Sequence, residues 1–346
     1  MDDAHDRPPP TPGRMRIGVA GAGAIGGFLA ARLALAGHDV SVLARGATLR
    51  ALDEHGIRLD SGGTRSVARV RASDDPRQLG PQDLLILAVK SPSLPGLADR
   101  LGPMIGPDTL VLPALNGVPW WFFQSGGGPL AGHRLRAVDP DGRLERAIPA
   151  DRVLGFVVFP SSSSPEPGVV AHASGSRLVV GEPGGGASPR AQRAAECLAG
   201  AGFEASASPD IRRIVWEKLL GNACFNPVSL LTGSHTDLLI DDERVNRLFQ
   251  AMMRELLAMG DALGLPLAIE PPARLAVTRK LGHIKTSMLQ DVEAGRAVEL
   301  DSILGAAVEI AGELGVPAPL LDTVYALARV RAERLGLYAP PLTPTP

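Results

Sequence analysis

The run Ile17-Gly18-Val19-Ala20-Gly21-Ala22-Gly23-Ala24-Ile25-Gly26-Gly27 constrains this chain more than any other stretch, because it carries Gly21-x-Gly23-x-x-Gly26 between a strand-like and a helix-like segment. Gly21 permits a tight turn out of the strand, Gly23 lets backbone approach a pyrophosphate, and Gly26 lets the helix pack against a sheet. The helix start then offers N–H groups that have no partner within the helix to an anion. The spacing reads as a dinucleotide-binding turn made by Gly21, Ala22, Gly23, Ala24, Ile25 and Gly26.

The residues after the turn support that reading. Residues 28–36 read as helix, Gly37-His38 as its stop, and Asp39-Val40-Ser41-Val42-Leu43 as a second strand, the start of a βαβ unit. In such units an acidic residue about 20 positions past the glycines binds the ribose 2′-hydroxyl, whereas an Arg accommodates a 2′-phosphate. Here the strand runs into Ala44-Arg45-Gly46, with no carboxylate before Asp53, which favours NADP over NAD. The apolar run 17–36 could also imitate a signal peptide or membrane span. Arg32 and five glycines inside it, and the strand after it, argue against export, and the two cysteines fit a reducing cytoplasm.

At 346 residues the chain has room for two domains with substantial cores. Its formal charge of -2 and scattered Lys and Arg offer no basic stripe for nucleic-acid phosphates. With only Cys197 and Cys224, and no paired Cys or His spacing, neither a disulfide framework nor a metal site is expected. Residues 1–14 and 338–346 read as tails.

Residues 48–56 read as helix and 57–71 as β-like. The apolar runs 83–90 and 109–115 suit parallel strands covered on both faces. Ligands bind outside the carboxyl ends of such strands, so Lys90 and Asn116-Gly117 stand where a cofactor or substrate belongs, unless they are an ordinary solvated Lys and a turn. Trp120-Trp121-Phe122-Phe123, beside a Gly-rich loop, reads equally as a lid, a subunit contact or a core patch. Residues 153–159, 168–171 and 177–181 read as further strands, with 161–165 as a turn. From Asp210 onward the period is helical, with helices expected at 210–226, 241–263, 272–294, 297–314 and 319–335. The resulting division is a nucleotide-binding α/β domain over 15–207 and a helical substrate domain over 208–337, with enough apolar surface in the latter for a homodimer.

The helical half holds a polar stripe. Lys218, Asn222 and Asn226 drift by only about 40° per step around a helix, so they project from nearly one face. An unpaired buried Lys is costly and a fully solvated face would carry more charge, so a cleft wall satisfies both constraints. The bland reading is a Lys snorkelling at a domain seam. Pro227 predicts a helix break directly after the stripe. Glu299 and Asp301 stand near an expected helix start, where the dipole alone favours carboxylates.

Trp216-x-Lys218-x-x-x-Asn222-x-x-x-Asn226-Pro227, Ser287-Met288-Leu289-Gln290-Asp291, Glu299-x-Asp301, the glycine turn, Lys90 and Leu115-Asn116-Gly117 together resemble the ketopantoate reductase family over nearly the whole chain. The resemblance implies an N-terminal Rossmann-type doubly wound α/β domain joined to an all-helical domain like that of 6-phosphogluconate dehydrogenase. It further implies NADPH-dependent reduction of 2-dehydropantoate to pantoate, with Lys218 as general acid and Glu299 as a second catalytic carboxylate. Asn116, Asn222, Asn226 and Ser287 would bind the substrate. The glycine-turn residues, Arg45, Lys90 and Asn116 would contact NADPH. Two departures stand out: 232–236 reads Thr-Gly-Ser-His-Thr where the family often supplies another Asn, and the 120–149 segment is unlike the shorter family loop. Reduction of a different 2-oxo acid is therefore the alternative, and a non-catalytic NADPH-binding sensor is a third reading.

Overall fold

The structure, a computed structural model, describes residues 14–339. The expected tails lie outside the described residues, except for Arg14, Tyr338 and Ala339. Two compact units are present, and they do not follow a single cut of the chain. One takes the chain up to Val89 with Ser93–Leu115 and Arg143–Ile211, and the other takes Lys90–Pro92, Asn116–Gly142 and the chain from Arg212 onward.

In the first unit the strands are β1 (Arg16–Ala20), β2 (Asp39–Leu43), β3 (Ile57–Ser61), β4 (Thr64–Ala68), β5 (Arg71–Ser73), β6 (Gln82–Leu87), β7 (Ile105–Pro113), β8 (Gly155–Val158), β9 (Ser161–Ser163), β10 (Val169–Ser174), β11 (Arg177–Gly181) and β12 (Glu204–Ser208). A five-stranded parallel sheet has the order β5-β2-β1-β6-β7. Its central strands are buried along their length, which is why they read as continuous apolar runs. Helix Ala24–Leu35 packs its buried Phe28, Leu29 and Leu33 into the same core. Two smaller sheets, β4-β3-β10-β9 and β12-β11-β8, complete the unit.

Three local details go beyond or differ from the sequence reading. The Ser-rich 161–165 segment is not all turn: β9 pairs antiparallel with β10 across a register irregularity, a pairing supplied by backbone that a run of serines does not advertise. The 205–209 stretch is mostly β12, which pairs with β11 through small residues of low strand propensity, and the unit continues to Ile211, past the expected division at 207. Helix Pro189–Gly200 went unanticipated although its start is marked, with Ser188 Oγ accepting from the Ala191 N–H and Pro189 next to it.

The second unit is helical. Its core gathers Trp216, Phe249, Met252, Leu256 and the Trp120–Phe123 turn, all buried. The aromatic run is therefore a core patch: the Phe122 ring lies 6.3 Å from that of Trp216 and 5.0 Å from that of Phe123. The Trp216 indole N–H donates to the Leu256 carbonyl at 3.1 Å. Helix Ile211–Thr232 does not break at Pro227 but runs through it. Pro227 and its neighbours Phe225, Val228 and Leu230 are all buried, and the Ser229 hydroxyl donates to the Asn226 carbonyl at 2.8 Å, so burial of the helix overrides a local rule.

The expected helix 272–294 is instead two, Pro271–Arg279 and Ser287–Glu293. Gly282, with φ +80°, lies in the break, and the Thr286 hydroxyl caps the second helix by accepting from the Leu289 N–H. Asp242 likewise separates Thr236–Asp241 from Glu243–Ala262 by capping the latter. Regular structure near the expected start at 297 is delayed to a π turn, Asp301–Gly305, which leads into helix Ala306–Leu314; helix Pro319–Arg334 comes last. No helix among the described residues is long and apolar enough to cross a membrane.

Candidate active site

The glycine turn is built as its spacing demands. Gly21, with φ +100°, turns out of β1, and its N–H donates to the Leu43 carbonyl at 3.0 Å. A Cβ on Gly26 would lie 1.9 Å from the Gly21 carbonyl oxygen, so helix and turn pack backbone to backbone. A Cβ on Gly23 would meet nothing within 4 Å. Gly23 is exposed and caps helix Ala24–Leu35 without any side-chain bond to its first-turn amides. Close packing at Gly26 beside open space at Gly23 fits a pyrophosphate, with the helix start as anion site. Arg45 is exposed directly after β2, with no acidic residue between.

In the second unit, Lys218 occupies the second turn of helix Ile211–Thr232, and Asn222 and Asn226 continue the same face. The Lys218 ammonium donates to Asn116 Oδ1 at 2.9 Å, and Asn116 Nδ2 donates to Glu299 Oε2 at 3.3 Å. One amide thus spans cation and anion, and the charges at its two ends fix which way it points. Glu299 Oε1 accepts from both the N–H and the hydroxyl of Ser91, each at 3.0 Å, while Lys90 Nζ lies 3.4 Å from Oε2. Lys90 also pairs at 2.6 Å with Asp291, whose other oxygen takes Arg296 at 3.1 Å. Glu299 and Asp291 are buried.

Gly117 allows this arrangement. At φ +83° it brings the chain so close to helix Asp301–Gly305 that a Cβ would lie 1.9 Å from the Ser302 carbonyl oxygen, which accepts the Val118 N–H at 2.7 Å.

The electrostatics follow from burial and partners. Burial pushes the half-buried Lys218 ammonium down from 10.5 to about 8, against the opposing pull of Glu299. Burial alone would raise the Glu299 carboxyl, but the Lys90 charge, the Ser91 donors and the Asn116 amide outweigh it and hold it below the ordinary range. Lys90 is also penalised by burial, yet Glu299 and Asp291 hold it above its usual value. The site therefore pairs an ammonium that gives up its proton readily with a carboxylate that stays ionised.

Four of the expected residues are brought together by hydrogen bonds. Lys218, Asn116, Glu299 and Lys90 form one connected polar chain. Asn226 is buried with its Nδ2 lacking any hydrogen-bond partner, and Asn222 is half-buried on the turn between it and Lys218. Ser287 is exposed at the start of helix Ser287–Glu293, the helix that carries Asp291. Ser91, Asp291 and Ser302 were missed as site groups. Asp291 closes the Ser287-Met288-Leu289-Gln290-Asp291 run, the one signal that could have found it.

A parallel sheet with a glycine turn, accompanied by a helical unit that holds a Lys–Asn–Glu chain, defines a dinucleotide-dependent oxidoreductase architecture. Sequence models described as ketopantoate reductase PanE/ApbA and its C-terminal domain match residues 17–185 and 210–332, and the chain belongs to the ketopantoate reductase family. It is 44% identical to the 2-dehydropantoate 2-reductase of Mesorhizobium japonicum over 326 residues, covering 94% of this chain and 100% of that one. A crystal structure of a candidate ketopantoate reductase from Ralstonia solanacearum MolK2 superposes with a TM-score of 0.90 at 48% identity, covering 93% of this chain and 99% of that one. The 2-dehydropantoate 2-reductase of Methylococcus capsulatus gives 0.77 at 30% identity, covering 92% and 97%.

Proposed function

We propose that this chain is a 2-dehydropantoate 2-reductase that uses NADPH and protonates the substrate through Lys218. The observation that carries the reading is the Lys218–Asn116–Glu299 chain, with its ammonium shifted to about 8. NADPH, when bound, supplies hydride to the ketone carbon. Negative charge then builds on the carbonyl oxygen, where the Lys218 ammonium stabilises it and donates its proton, leaving a neutral amine and an alcohol. Asn116 fixes the direction of that ammonium. Glu299, kept ionised by Lys90 and Ser91, accepts from the substrate hydroxyl and orients it.

Asn222, Asn226 and Ser287 supply neutral donors to the substrate's carboxylate and hydroxyl oxygens. The buried, unpartnered Asn226 Nδ2 supports this, because leaving such a donor unsatisfied costs about 1–3 kcal/mol that a ligand oxygen would recover. The backbone of Gly21, Ala22, Gly23, Ala24, Ile25 and Gly26 would hold the pyrophosphate and Arg45 the 2′-phosphate. Lys90 and Asn116 would approach the nicotinamide half in addition to steadying Glu299. Burial of the Trp120–Phe123 run in the core weakens one of the two reasons to expect a different 2-oxo acid.

Following NADPH oxidation against 2-dehydropantoate and a panel of other 2-oxo acids tests the assignment. The highest kcat/KM is expected for 2-dehydropantoate. A different 2-oxo acid turned over much faster would overturn the substrate, and NADPH binding without oxidation by any of them would overturn catalysis.

A further inference from the structure

The residues on either side of Glu299 are held by the far end of the described chain. Val298, directly before it, donates its N–H to the Leu337 carbonyl at 3.0 Å. Asp301, two residues after it, accepts on one oxygen from the hydroxyls of Tyr338 at 2.9 Å and Tyr325 at 2.7 Å. Tyr325 comes from helix Pro319–Arg334, while Leu337 and Tyr338 follow a reversal at Gly336, with φ +70°. Gly305 leaves room for the junction, since a Cβ there would lie 3.1 Å from the Tyr325 hydroxyl and 3.2 Å from Asp301 Oδ1.

These ties fall where the Glu299 backbone lacks the support of a regular helix. The segment 297–299 is irregular, and the π turn after it starts at Asp301. A π turn inside a helical region often accompanies a functional position. Without the Leu337 carbonyl the Val298 N–H would lack this partner, and without Tyr338 the half-buried Asp301 carboxylate would lose one of its two hydroxyl donors. Meanwhile the Glu299 carboxylate must meet the Ser91 N–H, the Ser91 hydroxyl, Asn116 and Lys90 together, at 3.0–3.4 Å. Bonds of that length weaken steeply with small displacements, so the position of the backbone under Glu299 decides whether all four are made.

We propose that Leu337 and Tyr338 form a clamp that positions Glu299, with Tyr338 a positioning residue acting through Asp301. The functional consequence rests on the reading of Glu299 as the carboxylate that orients the substrate. The clamp itself does not, because its first effect is on the bonds Glu299 makes to Ser91.

The test compares Tyr338→Phe, Glu299→Gln and the double variant in the full chain, by steady-state kinetics with NADPH and 2-dehydropantoate and by amide hydrogen exchange at Ser91. Tyr338→Phe is expected to raise Ser91 exchange and to lower kcat about tenfold, a fraction of what a misplacement of about 1 Å costs. In the Glu299→Gln background it is expected to lower kcat no further, since residues acting through one another are non-additive. Unchanged Ser91 exchange in Tyr338→Phe, or losses of kcat that multiply in the double variant, would overturn the clamp. Wild-type turnover by Glu299→Gln would instead overturn the role of Glu299 in the reaction, and raised Ser91 exchange in Tyr338→Phe would still support the clamp.

Discussion

Around residues 21–26 the groups that matter are backbone amides and open space, whereas around Lys218 they are ionisable side chains in mutual contact. At Gly26 an added methyl group has nowhere to go, and at Gly23 it meets nothing. Around Lys218 each charge depends on its neighbour, as Glu299 does on Lys90 and Lys218 on Asn116. One unit contributes a surface from which side chains are excluded, and the other a chain of charges held at set distances. Substitutions should therefore fail for steric reasons in the first and for electrostatic reasons in the second.

The sharpest way to break that contrast is the pair Gly26→Ala and Gly23→Ala. Gly26→Ala forces backbone apart and is expected to abolish measurable NADPH binding and cost about 1–3 kcal/mol of stability or more, read by fluorescence titration and thermal unfolding. Gly23→Ala should leave the melting temperature unchanged and weaken NADPH alone. Equal melting temperatures for both would show that the steric account of the turn is wrong.

Cutting the chain of charges comes next in size. Asn116→Ala removes the amide between Lys218 and Glu299 and should lower kcat on the order of a hundredfold, the scale for losing one positioned polar group, with little effect on thermal unfolding. A loss of stability without a loss of kcat would make Asn116 a packing residue.

The Lys218 shift gives a pH dependence of known sign. The proton donor is present below about 8 and lost above it, so kcat should fall about tenfold between pH 7 and pH 9. Stability should move the other way. Because the folded state binds this proton less tightly than the unfolded chain, protonation disfavours folding below about 8, and stability rises as pH goes from about 8 towards 10.5. A flat kcat profile through that range would remove the shifted ammonium from the rate-determining step.

The smallest effect is expected at the exposed Arg45. Arg45→Ala should raise the KM for NADPH about tenfold, at the low end for a charge-assisted bond, and leave NADH unchanged. Equal losses with both cofactors would detach Arg45 from the 2′-phosphate.

Features set by short-range spacing are legible in the sequence alone. The glycine turn, the strands flanking it and the shared face of Lys218, Asn222 and Asn226 all depend on residues within a few turns or strands of one another. Features set by distant contacts are not. Pro227 signals a break locally, yet buried neighbours carry the helix through it. Nothing near Lys90 announces Asp291, about two hundred positions away, and nothing near Val298 announces Leu337. The Trp120–Phe123 run could not be assigned between surface and core because both would be equally aromatic. The Lys218–Asn222–Asn226 stripe is visible as a pattern, while the hydrogen-bond network around Lys218 is a product of folding.

Turnover and cofactor binding measured together on Lys218→Ala address the central claim most directly. The account predicts a fall in kcat for 2-dehydropantoate of about 10²- to 10⁴-fold, with the affinity for NADPH unchanged, because only the proton donor is removed. Near-normal turnover with NADPH still bound would contradict it.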